Sequence, residues 1–300
     1  MVRVFSYSTN HHSFSRQRKS KKQKKRKSDT VALTLPPGEF AGKNCLLPRM
    51  AIWQYLLLFG SVILGGGIAQ ALRGADDEAR WRGYLPLLLS FSGAYLLGIA
   101  AMELMPAVFA DATLHSGVWL LGGFFVQLLL ESLSQGVEHG HVHAHKQESR
   151  RYALTVMVGL GIHAFLEGLP LGTAADVTAA LGHHHGHYDG DHLLIGIVLH
   201  KLPAAFALGL LLRHSGYSRT FTWGCLLVFA ILSPFGAMLG ELVSIDPVWR
   251  NRVMALVVGS FLHISTTILF EADGRRSHGV SVRKLLVVVV GMLVAYFTAH

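Results

Sequence analysis

Two short stretches carry the side chains with chemistry to offer. The first is Ile162–Gly172, Ile-His-Ala-Phe-Leu-Glu-Gly-Leu-Pro-Leu-Gly, inside an apolar run from Tyr152 to about Ala180. His163 and Glu167 are four residues apart, so on a helix they share one face. The second is Leu199–Gly209, which begins Leu-His-Lys-Leu-Pro-Ala-Ala-Phe. It repeats the plan: nine residues separate His163 from Gly172, and nine separate His200 from Gly209. Each stretch has a mid-segment proline, Pro170 or Pro203. Ionisable side chains in membrane-length apolar segments are costly and mark functional sites. Two broken helices in corresponding places, each with a His, point to the binding site of a transporter.

The rest of the polar inventory inside apolar runs is short. Glu103 precedes Pro106, Glu131 and His263 stand in two other runs, and Lys201 follows His200. Imidazole with carboxylate suits Zn²⁺ and also Fe²⁺ or Mn²⁺. Taken singly, His263 and Glu131 read as buried polar residues bonded to a neighbouring helix; His163, Glu167 and His200 together do not. Two His-rich tracts lie outside the runs. His139, His141, His143 and His145 alternate along one loop, and His183, His184, His185 and His187 fall in another, followed by Asp189, Asp191 and His192. Such tracts suit loose, exchangeable metal binding, or are simply polar loops.

The elements that must position these residues are membrane spans. The chain is 51% hydrophobic and only 15% charged, against roughly 25% charged in soluble domains. Eight apolar runs are long enough to span, at about 20 residues each: roughly 52–72, 84–109, 117–136, 152–180, 192–212, 221–243, 252–271 and 282–299. The net charge of +9 is concentrated in residues 1–49, where 12 Lys/Arg face only Asp29 and Glu39. That basic segment reads as a solvated disordered tail, as an anionic-lipid or nucleic-acid patch, or as a non-native extension ahead of Met50. Residues 50–300 then form the transmembrane domain, with a His-rich loop at about 137–151. Twelve Lys/Arg fall on the loops after runs 1, 3, 5 and 7, against two, Arg250 and Arg252, on the opposite side. By the positive-inside rule the first set is cytoplasmic and both termini lie outside. Two cysteines, Cys45 and Cys225, are too few for a disulfide framework.

These motifs resemble the ZIP family of divalent metal transporters. The resemblance covers roughly 50–300. It rests on His163-x-x-x-Glu167-Gly168, on His200-Lys201-Leu202-Pro203-Ala204, on Glu103-Leu-Met-Pro106, on Ser233-Pro234-Phe235-Gly236 and on the His-rich loop after the third run. It implies an all-α bundle of eight transmembrane helices in a 3+2+3 order, the first and last three related by an inverted repeat. It implies uptake of a divalent metal into the cytoplasm, Zn²⁺ first, with Fe²⁺, Mn²⁺ or Cd²⁺ as alternatives, through His163, Glu167, His200 and Glu103, with His263 a further contributor. The family's second-ion positions hold Ala164, Lys201 and Ala204 here. Lys201 thus replaces a second metal, as in the single-ion subgroup. The expected partners are metal ions and the lipid bilayer, with room for a homodimer and none for nucleic acid. The expected location is a multi-pass position in the cell membrane. Two other classes compete: an intramembrane metallohydrolase, which lacks a His-Glu-x-x-His motif, and a metal sensor without transport.

Overall fold

The eight apolar runs form eight helices. The computed structural model describes residues 50–72, 75–110, 115–139, 149–180, 191–243, 246–270 and 281–299. The basic segment 1–49 and His141, His143, His145, His183, His184, His185 and His187 lie outside the described residues, as does the side chain of His139. We number the helices α1 (Ile52–Ala71), α2 (from Ala75–Ile99 through Ala100–Leu104 to Met105–Phe109), α3 (Ser116–Ser134), α4 (Arg150–Ala180), α5 (Asp191–His214), α6 (Arg219–Val243), α7 (Pro247–Phe270) and α8 (Val282–Ala299). All eight are long and apolar enough to cross a membrane.

Local sequence explains where they start and stop. α2 begins earlier than its apolar run because Asp76, Asp77 and Glu78 sit in its first turn, where carboxylates favour the helix dipole. α5 stops at Gly216, whose φ of +82° sends the Tyr217 N–H back to the carbonyl of Leu212, a closure that glycine permits at low cost. The end of α1 is held by α5: the Arg213 guanidinium donates to the carbonyls of Ala69 and Leu72 at 3.1 and 2.7 Å. At the other end of α1, Glu241 of α6 accepts from the Met50 N–H at 3.0 Å and from the Tyr55 hydroxyl at 3.1 Å.

The prolines behave differently from the expectation of broken helices. α4 runs through Pro170 and α5 through Pro203 without interruption. Each ring still removes one backbone donor, so the carbonyls of Leu166 and Leu199 lose their partner four residues on. Membrane helices tolerate such freed groups when neighbours pack closely. The interruption is instead in α2, where Ala100–Leu104 forms a π turn and the Met105 N–H donates to Ala100, five residues back. Pro106 has no N–H to give to Met102, and the helix takes up one extra residue just ahead of it.

The most extensive pairings are α4 with α6, α1 with α5, α3 with α7 and α2 with α8. Exchanging α1 with α6, α2 with α7, α3 with α8 and α4 with α5 maps these four pairs onto one another, as a repeat of the first three helices in the last three requires. Close approach rests on glycine. A Cβ on Gly168 of α4 would collide with the backbone of Ser233 and Ala237, and one on Gly236 of α6 with the backbone of Phe165. Ser233 completes the seam by donating to the carbonyl of Ala164 at 2.6 Å. Gly168→Leu therefore forces α4 off α6. We expect a loss of about 2 kcal/mol or more, read as a lower melting temperature in detergent; wild-type stability would show that the seam is not tight.

α5 is the most enclosed of these helices, while α3 and α8 leave most of their length exposed. The outward faces carry Val118, Leu121, Phe125 and Leu129 on α3 and Leu285, Leu286, Val289 and Leu293 on α8. After α3, left-handed Gln135 and Gly136 reverse the chain into a single 3-10 turn, Val137–His139, that packs against α5. Val137 and Glu138 are fully buried, although their pattern reads as the start of a solvated loop. The Ser134 hydroxyl donates to Glu138 Oε2 at 2.7 Å.

Candidate metal centre

α4 and α5 bring their polar residues together in the middle of the bundle. Among the described residues, His163, Glu167 and His200 form the group of metal-capable side chains, with one ligand atom of each within 4.8 Å of the others. All three are buried, at 1–2% exposure. Helical spacing puts His163 Nε2 3.9 Å from Glu167 Oε2. The rings of His163 and His200 stand nearly perpendicular, at 89°, with centroids 6.0 Å apart. Two imidazoles and one carboxylate match the three-ligand sets that hold Zn²⁺ with an open fourth position.

Lys201 enters the same pocket. Its side chain is fully buried, with Nζ 2.7 Å from Glu167 Oε2 and 4.7 Å from the centre of the Phe229 ring on α6. The ammonium thus has a carboxylate on one side and an aromatic face on the other, both favourable to a buried cation. Glu167 Oε1 makes no hydrogen bond among the described residues. One oxygen is therefore held by Lys201, and the other is open to an ion. Ala164 and Ala204, the other two positions that the resemblance would give to a second ion, are buried with no side-chain ligand atom to offer.

Glu103 and His263 go elsewhere. Glu103, in the π turn of α2, pairs with His192 at the start of α5, Oε1 to Nδ1 at 3.3 Å, both side chains partly exposed. His192 lies eight residues before His200, about 12 Å along the helix at 1.5 Å per residue. His263 on α7 is bonded to Glu131 on α3, Nε2 to Oε2 at 2.5 Å, with the Phe124 ring edge-on at 4.8 Å. That contact is the bonding to a neighbouring helix expected for both residues taken singly.

Sequence reasoning passed over two residues at the centre. Gln127 of α3 is fully buried, and its Oε1 is 3.2 Å from His163 Nδ1 and 2.9 Å from the Ser260 hydroxyl of α7. A signal was present: Gln127 lies one turn before Glu131, and Ser260 one turn before His263, so both continue faces already marked as polar.

Eight membrane-length helices that bury two histidines, a carboxylate and a lysine among them define a helical membrane protein with a buried polar site. The chain belongs to the ZIP zinc transporter family, whose sequence model matches residues 131–299, more than half of its 300 residues. It is similar to zinc transporter ZIP9-B of Xenopus laevis, 32% identical over 182 residues, which are 56% of this chain and 56% of that protein. It is also similar to zinc transporter ZIP2 of Homo sapiens, 25% identical over 189 residues, 61% of this chain and 55% of that one. The chain thus spans about half the length of the curated relatives it matches.

Proposed function

We propose that this chain carries a divalent transition metal, Zn²⁺ first, across a membrane into the cytoplasm, through a single site made by His163, Glu167 and His200. The observation that carries the reading is the burial of this mixed imidazole and carboxylate group within helices of membrane length. A transported ion must be held and released, and nitrogen and oxygen ligands exchange more readily than thiolates, the softer ligands for Zn²⁺. The zinc in the names of the related ZIP9 and ZIP2 proteins supports the choice of ion. Glu103 and His192, about two turns away along α5, belong to the path by which the ion reaches the site. The basic loops after α1, α3, α5 and α7 support a cytoplasmic position for those ends, so His192 faces the outside.

A hydrolase would need Glu167 as general base beside a metal-bound water. Its carboxylate is instead held by Lys201 at 2.7 Å, which favours transport. The test is uptake by the purified full chain in sealed liposomes, with Zn²⁺ inside read by a fluorescent chelator and Fe²⁺, Mn²⁺ and Cd²⁺ as competitors. We expect saturable Zn²⁺ accumulation. Liposomes that bind Zn²⁺ but never accumulate it would leave a sensor, and cleavage of peptide or lipid without accumulation would make it an enzyme.

A further inference from the structure

We infer that Gln127, held by Ser260, is a positioning residue that fixes the tautomer of His163 and tunes how tightly the transported ion is bound; this rests on the reading of His163 as a ligand. The amide oxygen of Gln127 has no proton to give, so at 3.2 Å from His163 Nδ1 it accepts the Nδ1 proton. The neutral imidazole then carries its lone pair on Nε2, the nitrogen directed at Glu167. The Ser260 hydroxyl, donating to the same oxygen at 2.9 Å, sets which end of the amide faces the histidine. Three helices thereby orient one ligand: α4 supplies it, α3 accepts its Nδ1 proton and α7 steadies the acceptor.

The chemistry of the partner matters as much as its place. A metal-bound histidine commonly gives its other N–H to a carboxylate or carbonyl, which raises its basicity as a ligand. A carboxylate does this more strongly than an amide, because a charged acceptor makes the stronger hydrogen bond. Gln127 orients His163 without adding a negative charge beside it. An ion seated there is bound by an aligned ligand yet leaves readily, which a transport cycle needs and a storage site does not. An amide there also adds no second carboxylate, so the site keeps the charge balance set by Glu167 and Lys201.

The test is the concentration dependence of Zn²⁺ uptake by full-length variants in liposomes, with melting temperatures measured on the same preparations. Gln127→Met removes the acceptor at similar volume, and we expect KM to rise about 10–100-fold, the usual cost of losing such a partner. Gln127→Glu keeps an acceptor and adds charge; it should bring KM back to the wild-type value or below while lowering the maximal rate, because release slows. Ser260→Ala leaves the amide less constrained and should raise KM by less than Gln127→Met does. These two variants carry the test if Gln127→Met does not fold. A merely structural role would lower melting temperature and maximal rate together and leave KM alone. Wild-type KM in Gln127→Met, or a KM in Gln127→Glu as weak as in Gln127→Met, overturns the inference. His163→Ala separates the two readings: if that variant still transports, the site assignment itself fails, whereas an inactive His163→Ala beside a normal Gln127→Met removes only the role of Gln127.

Discussion

His163→Ala should abolish Zn²⁺ uptake while the bundle still inserts and folds. His163 contributes one of three ligand atoms in a group closed to within 4.8 Å, and two ligands on neighbouring helices hold a divalent ion far less well than three. Because even a partner in the next shell costs 10–100-fold in metal affinity, losing the ligand itself should lower uptake more than about 100-fold. Folding is spared for a specific reason. The helix seam that carries α4 rests on Gly168, Gly236 and the Ser233 hydroxyl, which meet backbone atoms of the facing helix. Gln127, deprived of His163, keeps the Ser260 hydroxyl. Uptake in liposomes and the melting temperature of the metal-free protein check both halves. Wild-type uptake by His163→Ala would end the assignment of α4 to the metal path.

The part of the fold legible in the sequence was written in periodicity and cost. Eight runs of spanning length gave eight helices because nothing but a helix satisfies the backbone of such a segment in lipid. The grouping of His163, Glu167 and His200 was legible because three ionisable groups in two matched apolar motifs are too costly to sit there without a function. The illegible part depended on which helices meet. Glu103 looked equivalent to the central ligands, since apolar context alone does not report depth along a bundle. Its π turn places it with His192, two turns from His200. Gln127 and Ser260 are uncharged, and a neutral polar residue in a span is common enough to carry little signal until its neighbours are known. Val137 and Glu138 read as loop because a glutamate beside alternating histidines suggests solvent; the 3-10 turn buries them instead. The prolines suggested breaks, yet tight packing of α4 on α6 and α5 on α1 carries both helices through.

We expect Lys201 to stand where a second ion would otherwise sit at the centre. Its Nζ lies 2.7 Å from Glu167 Oε2, and its side chain is fully buried. A buried carboxylate without a counter-charge is strongly unfavourable, and removing one partner of such a pair costs about 3–5 kcal/mol. Lys201→Met should therefore destabilise the metal-free protein by that order, and Zn²⁺ should restore much of it by replacing the missing positive charge beside Glu167. The rise in melting temperature on adding Zn²⁺ should accordingly be larger for Lys201→Met than for the wild type, since tighter binding to the folded state stabilises it more. With the His-rich tracts removed or masked, the wild type should bind one ion at the centre, and Lys201→Met should still bind one, because it gains no ligand. Lys201→Asp with Ala204→Glu is different. Position 204 lies one turn beyond His200 on α5 and is buried, so its new carboxylate joins Glu167 and the carboxylate introduced at 201 around one pocket. Three carboxylates there need more positive charge than one divalent ion supplies, and the double variant should either bind a second ion or take up protons. Metal-to-protein ratios of the masked proteins read this directly. Two ions at the centre of the wild type, with Lys201 intact, would show that its ammonium does not stand in for a second metal.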